Sequence, residues 1–349
     1  MNFSKKLIGN INGKEINIIT FTNDNNYIIS FYNFGGYINT VLIPYKNNST
    51  KHEDVILGYN NLENCKLAPG FFNGIIGRVA NRISDAKFKI NTTEFSLFKN
   101  DGEHHLHGGK EGFNKKVWKI NKIIKTSNEL SCELKYLSKN LEEGYPGNLN
   151  CTAIYSLNNK NEFIIRYTAV SDEDTPVSIT NHNYWNFHGH GDHYKNIVDH
   201  TVKIFSSNVC ENNEQSIPTG KILLVENTKF DFTRGKIITQ DFLNKGGVDN
   251  NYDFGSSNEL KKVAVGYSNI TRMGVTYLSD QPGNQFYTGN NMTNDYIGKY
   301  NRAYGLHHGF CFEPQFPPDG INQQKLQSPI LKAGEKYNST IMIRLSNDF

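Results

Sequence analysis

The sequence predicts an all-β fold, an antiparallel sandwich or barrel-like assembly built as one domain over residues 1–349. Three observations carry that expectation. Apolar and polar residues alternate with period two in many short segments, turn-forming clusters separate those segments, and long stretches of helical periodicity are hard to find. Closely spaced strands without intervening helices favour antiparallel pairing over a parallel α/β sheet.

In chain order, Asn33-Phe34-Gly35-Gly36 is the first strong turn signal. Leu130, Cys132, Leu134 and Tyr136 then share one face of a strand. Gly144-Tyr145-Pro146-Gly147 breaks the chain before a second strand, with Cys151, Ala153, Tyr155 and Leu157 on one face. Asn158-Asn159 marks a hairpin into a third, which places Phe163, Ile165, Tyr167 and Ala169 together. Thr239 to Lys245 offers a couple of helical turns, stopped by Gly246-Gly247. Gln281-Pro282-Gly283-Asn284 is a further turn, and Ile341, Ile343 and Leu345 pair the C-terminal segment into a sheet. No repeat, Pro- or Ser-rich linker or shift of composition marks a domain boundary.

Bulk properties narrow the function. The net charge of +3 comes from 37 basic and 34 acidic residues that are scattered along the chain, so no nucleic-acid footprint is present. No apolar run approaches the roughly 20 residues of a membrane span, and no apolar segment of signal-peptide type follows Lys5 and Lys6. Five cysteines, an odd number without a C-x-x-C pair, fit reduced thiols in the cytoplasm. An aromatic content of 12% with 20% charge is that of a packed globule.

Four regions concentrate His, Arg, Asn, Asp and Glu beside Gly, as binding loops do. They are Gly74–Ile83 with Asp101–Gly109, then Asn181–Phe187, then Gly247–Tyr252, and finally Gln281–Asn290 with Phe312–Gln315. Glu313 stands out because it ends an apolar strand, where burial would raise a carboxyl pKa. Bidentate amide, carboxylate and guanidinium groups beside aromatic faces suit a polyhydroxylated ligand, and two carboxylates with two histidines suit proton transfer.

In motif order the chain resembles the aldose 1-epimerase (galactose mutarotase) family over essentially its whole length. The matching segments are G-R-x-A-N-R-I at Gly77–Ile83, L-H-G-G at Leu106–Gly109 and N-H-x-Y-x-N at Asn181–Asn186. G-x-D-x-N at Gly247–Asn251, Q-P-G-x-Q-F-Y-T-G-N at Gln281–Asn290 and E-x-Q-x-x-P-D-x-x-N at Glu313–Asn322 follow. The resemblance implies a large antiparallel β-sandwich, the galactose mutarotase-like supersandwich. It implies interconversion of the α and β anomers of aldohexoses such as glucose and galactose, without metal or organic cofactor, by a monomer or homodimer. By the same resemblance Glu313 is the general base, His182 the general acid and His107 a second donor near the ring oxygen. Asn81, Arg82, Asp249 and Gln285 hold sugar hydroxyls. The chain departs from the family pattern at Trp185, Asn250 and Pro317, which bears on substrate preference and on one wall of the pocket.

Other readings compete. His188-Gly189-His190-Gly191-Asp192-His193 matches the H-x-H-x-D-H pattern of zinc hydrolases, although Tyr194-Lys195 follow where glycines are usual. A sugar-binding domain without catalysis, a relative acting on hexose 6-phosphates, and a glycosidase using Asp249 with Glu313 are the remaining alternatives.

Overall fold

The computed structural model describes residues 1–67, 70–256, 258–293 and 296–349. An N-terminal sheet of five strands runs in sequence order, Asn2–Ile11, Lys14–Thr22, Ile28–Tyr32, Ile38–Tyr45 and Asn48–Asp54. The central sheet has nine strands in the order Lys119–Lys125, Glu129–Ser138, Leu149–Asn158, Glu162–Ser171, Lys336–Ser346, Gly274–Ser279, Lys261–Ser268, His200–Ile204 and Lys236–Ile237. A second sheet of five strands is ordered Pro218–Leu224, Asn208–Asn212, Asp249–Asp253, Gly283–Tyr287 and Cys311–Gln315. Neighbouring strands in all three are antiparallel. The fold is a large antiparallel sandwich, one of the two arrangements expected from the alternation and the one that the resemblance implies.

Period two decides what each central strand buries. Leu134 pairs with Ala153, Cys132 with Tyr155, Tyr155 with Ile165 and Ile165 with Ile341, so one apolar row crosses four strands. That row packs against Phe21, Ile29 and Phe31 of the N-terminal sheet. Phe31 meets Tyr155 edge to face at 4.9 Å between ring centroids, and the Tyr155 hydroxyl donates to the Gly36 carbonyl at 2.8 Å. Gly35 and Gly36 take positive φ in that turn, and a Cβ on Gly35 would lie 2.0 Å from the Asn114 carbonyl oxygen. The short helix Gln240–Asn244 starts where the sequence placed it, with the Thr239 hydroxyl accepting from the Phe242 amide at 3.2 Å.

One turn connects differently from the expectation. Residues Gln281 to Asn284 do not close a hairpin: Gly274–Ser279 pairs within the central sheet, while Gly283–Tyr287 pairs with Asp249–Asp253 and Cys311–Gln315. The chain crosses from one sheet to another there, and Gly283 and Asn284 already belong to the strand. Among the described residues, no helix is long and apolar enough to cross a membrane.

Candidate active site

Two small ladders gather the polar loops. Ile75–Ile76 pairs with Thr180–Asn181, and Arg82–Ile83 pairs with His105–Leu106. The loop between Ile76 and Arg82 thus lies between the segments that carry His107 and His182. Asn81 and His107 both adopt positive φ, unusual for a histidine, and bind each other reciprocally. The His107 amide donates to the Asn81 carbonyl at 3.1 Å, and the Asn81 amide donates to His107 Nδ1 at 3.1 Å. With Nδ1 accepting, a neutral His107 carries its proton on Nε2.

The opposite wall is a three-strand ladder whose alternation separates chemistry from core. Asn251, Gln285 and Glu313 lie in register, as do Asp249, Tyr287 and Cys311, so these side chains share one face. Phe286 and Phe312 point to the other face, where their rings approach to 5.4 Å within the apolar core. This places Glu313 at 1% exposure, with Oε1 3.7 Å from His182 Nε2. Oε2 has no hydrogen-bond partner among the described residues. His182 stacks on Tyr184 at 4.8 Å, and its Nδ1 lies 3.4 Å from Cys311 Sγ. His107 approaches His182 at 5.2 Å between ring centroids and packs against Phe71.

A cavity of about 190 Å³ opens on these groups. Asn81, Arg82, His107, His182, Asp249 and Glu313 all line it, so the structure brings six of the seven sequence-predicted residues together. Gln285 is not among the lining residues; its Nε2 donates to Asp249 Oδ1 at 2.7 Å, which fixes that carboxylate from behind. Arg82 Nε donates to Asp101 Oδ2 at 2.7 Å, with side chains 13% and 36% exposed. Asp101, Phe71, Tyr184, Tyr287 and Met292 also line the cavity without having been assigned a role from sequence. Asp101 and Tyr184 fall inside segments already marked by their polar, Gly-rich composition. Phe71 and Met292 carry no comparable signal.

Burial sets the protonation of the pair. It pushes the Glu313 carboxyl well above its ordinary range, helped by the nearby Asp249 and opposed by Arg82. Burial lowers His182 to about 4 and holds His107 well below the ordinary imidazole value. It also raises Asp249, again against Arg82. Desolvation therefore favours a neutral acid and a neutral imidazole in the free site, rather than a carboxylate facing an imidazolium. The two forms hold the same single proton, and they differ only in its position.

Several sequence alternatives lose their footing in the geometry. In the H-x-H-x-D-H segment, His188 Nε2 bonds the Val198 carbonyl at 2.8 Å and Nδ1 the Ser268 hydroxyl at 3.0 Å. His190 is held between the Asp54 carbonyl and the Tyr304 hydroxyl, each at 2.8 Å, and Asp192 and His193 are exposed. These imidazoles are structural. Among the described residues the group able to converge on a metal is His107, His182 and Glu313, with ligand atoms within 4.8 Å of one another. There the Asn81 amide already occupies the His107 Nδ1 lone pair and leaves Nε2 protonated, a state suited to donating a hydrogen bond rather than to ligating.

Arg78 is buried and directs its guanidinium at the carbonyls of Pro146, Gly147 and Ser138 and at the Ser138 hydroxyl, away from the cavity. With Arg82 paired to Asp101, the described residues form no cationic pocket for a sugar phosphate at this site. The three departures from the family pattern also lie off the cavity. Trp185 donates from Nε1 to the Tyr277 hydroxyl at 2.8 Å, Asn250 donates to the Cys210 carbonyl at 3.1 Å from the opposite face of its strand, and Pro317 is buried outside the lining.

A family profile described as aldose 1-epimerase matches residues 17–344. A galactose mutarotase from Bos taurus is 36% identical over 306 residues, covering 86% of each chain. An aldose 1-epimerase from Escherichia coli (strain K12) is 28% identical over 340 residues, covering 94% of each. The crystal structure of a galactose 1-epimerase from Lactobacillus acidophilus NCFM superposes with a TM-score of 0.84 at 24% identity, covering 100% of this chain and 99% of the other, which establishes the likeness of fold.

Proposed function

Because the chain belongs to the aldose 1-epimerase family and is an isomerase that interconverts the α and β anomers of aldoses, we propose that Glu313 and His182 perform its ring opening on aldohexoses such as glucose and galactose. The observation that supports this reading is the buried pair itself, one carboxyl and one imidazole 3.7 Å apart on the wall of a cavity of about 190 Å³. In the forward step the Glu313 carboxylate takes the proton of the anomeric hydroxyl. The C1–O5 bond breaks, C1 becomes an aldehyde, and O5 takes a proton from His182. Rotation about C1–C2 presents the other carbonyl face, and return of both protons closes the opposite anomer. No covalent intermediate forms, and each proton transfer typically contributes about 10²–10⁴-fold.

The ionic form of the pair is needed at that step, and binding supplies it. Sugar hydroxyls donating to Glu313, with Arg82 already pulling its pKa down, offset the desolvation that favours the neutral form in the free site. His107 donates from Nε2 near the ring oxygen, while Asn81, Arg82 and Asp249 hold hydroxyls, with Gln285 steadying Asp249. Packing from the N-terminal sheet to the last strand is continuous, which supports one domain over residues 1–349. The five unpaired thiols support a reducing compartment, the cytoplasm, and the protein acts as a monomer or homodimer. Polarimetry on freshly dissolved α-D-glucose and α-D-galactose tests the function. The protein should speed the approach to equilibrium well beyond buffer alone, and a rate equal to that of buffer would refute it.

The pH dependence follows from the single shared proton. As pH falls, the pair gains a second proton only on approaching about 4, the lowered value of His182. As pH rises, the proton is lost only above the raised pKa of Glu313, past the ordinary carboxylate range. The free-enzyme profile of kcat/KM, corrected for spontaneous mutarotation, should therefore be a plateau with an acid limb near 4. An acid limb centred near the ordinary imidazole value of 6.5 would contradict the lowered value of His182.

Binding should depend on Arg82. Arg82→Ala removes a charged hydrogen-bond donor, typically worth about 1.5–3 kcal/mol, so KM should rise by roughly tenfold or more with a smaller change in kcat. Asp101→Asn leaves Arg82 in place and breaks a partly exposed pair worth about 0–1 kcal/mol, so its KM should rise only a fewfold. Steady-state kinetics separates the two, and unchanged KM in both variants would remove Arg82 from the binding site.

A further inference from the structure

Sharing no lining residue with the sugar site, the outer strands of two sheets border a cleft of about 820 Å³. The strands Asn2–Ile11 and Lys14–Thr22 contribute Lys5 and Lys14. The strands Lys119–Lys125 and Glu129–Ser138 contribute Lys119 and Lys135, and Lys139 follows directly after the second of these. Glu15 is the one carboxylate in the lining. Lys119 and Lys135 stand directly opposite each other in register, an arrangement that antiparallel pairs normally avoid because like charges there destabilise the ladder. Lys135 meets Glu133 at 3.3 Å, but that carboxylate is shared with Lys122 at 3.6 Å and accepts from Asn121. Among the described residues the other four lysines have no ion-pair partner.

The floor of the cleft is also polar. Asn17 is 6% exposed and lines the cleft. Its backbone is tied to Asn33, whose side-chain oxygen accepts from the Asn17 amide at 2.7 Å. Its side-chain amide has no hydrogen bond among the described residues. Trp118 closes the base of the same cleft.

We propose that this cleft binds a small molecule carrying several phosphate groups. Uncompensated ammonium groups on both walls match a multiply charged anion, and lysine binds phosphate as a mobile point charge. The volume lies within the roughly 300–1,000 Å³ typical of small-molecule sites. The Asn17 amide supplies a directional donor at the floor, where a phosphate oxygen satisfies it.

Isothermal titration of the full chain with inorganic tripolyphosphate tests the proposal, alongside the double variant Lys119→Gln, Lys135→Gln. Wild type should show one saturable site that weakens as salt is added. The double variant should bind at least about tenfold more weakly. Its mutarotation rate should be unchanged, and its thermal midpoint should change little, since removal of the like-charge pair offsets loss of the partly exposed Lys135–Glu133 pair. Lys14→Gln, on the other wall, should weaken binding independently and guards against a folding defect in the double variant. Absence of saturable binding would overturn the proposal, as would undiminished binding in both variants. Tighter binding of an acidic peptide than of tripolyphosphate would do so as well, and would make the cleft a protein-docking surface.

Discussion

Glu313→Gln is expected to lower turnover by roughly 10²-fold or more while leaving the fold and much of the sugar affinity intact. The exchange keeps side-chain size and a hydrogen-bonding carbonyl at the ladder position opposite Gln285, and it removes the group proposed to accept the anomeric proton. It also removes a buried ionisable group whose charged form is disfavoured by desolvation, so the variant should be no less stable than wild type at neutral pH. Stopped polarimetry with circular dichroism as a folding control checks both halves. Near wild-type turnover in a folded variant would remove Glu313 from the chemistry, and Asp249, which shares its strand face on the cavity wall, would be the next candidate base.

His182→Asn is expected to cost a comparable factor. An amide can hold a hydrogen bond to the ring oxygen but cannot deliver a proton to it near neutral pH. His107→Asn should cost less, because in the proposed mechanism His107 is a donor fixed by the Asn81 amide and not one of the two groups that exchange the proton. In the proposed mechanism Glu313 and His182, 3.7 Å apart, act on one shared proton, so the double variant should lose far less than the product of the two single losses. Fully multiplicative losses would mean that the two residues serve separate steps.

Much of this architecture is visible in the residues because period two leaves little freedom. Once Cys151, Ala153, Tyr155 and Leu157 must face the core, the register with Leu130–Tyr136 and Phe163–Ala169 follows, and the observed pairing is that register. The crossing at Gln281–Asn284 is not visible, because Pro-Gly turn chemistry is the same whether the next strand pairs with its predecessor or enters another sheet. In the site, alternation along Cys311–Gln315 separates Glu313 from Phe312 and Pro314, so the position of the carboxylate can be read from the chain. Its charge state cannot. Desolvation by the opposing loops and the field of Asp249 depend on segments brought together only by the fold. The Arg82–Asp101 pair and the packing of Phe71 on His107 are likewise tertiary facts without a local sequence signature.

The central claim is that the pair opens the pyranose at C1–O5 and leaves the anomeric oxygen in place. D-Glucose carrying a heavy oxygen label on its C1 hydroxyl distinguishes this from scission at the exocyclic bond, since carbon NMR reads both anomer exchange and label loss in one sample. The wild-type protein should accelerate exchange between the α and β signals while the label stays on C1 at the level found in buffer. Loss of label in step with anomer exchange would contradict ring opening and place bond breaking between C1 and its hydroxyl oxygen.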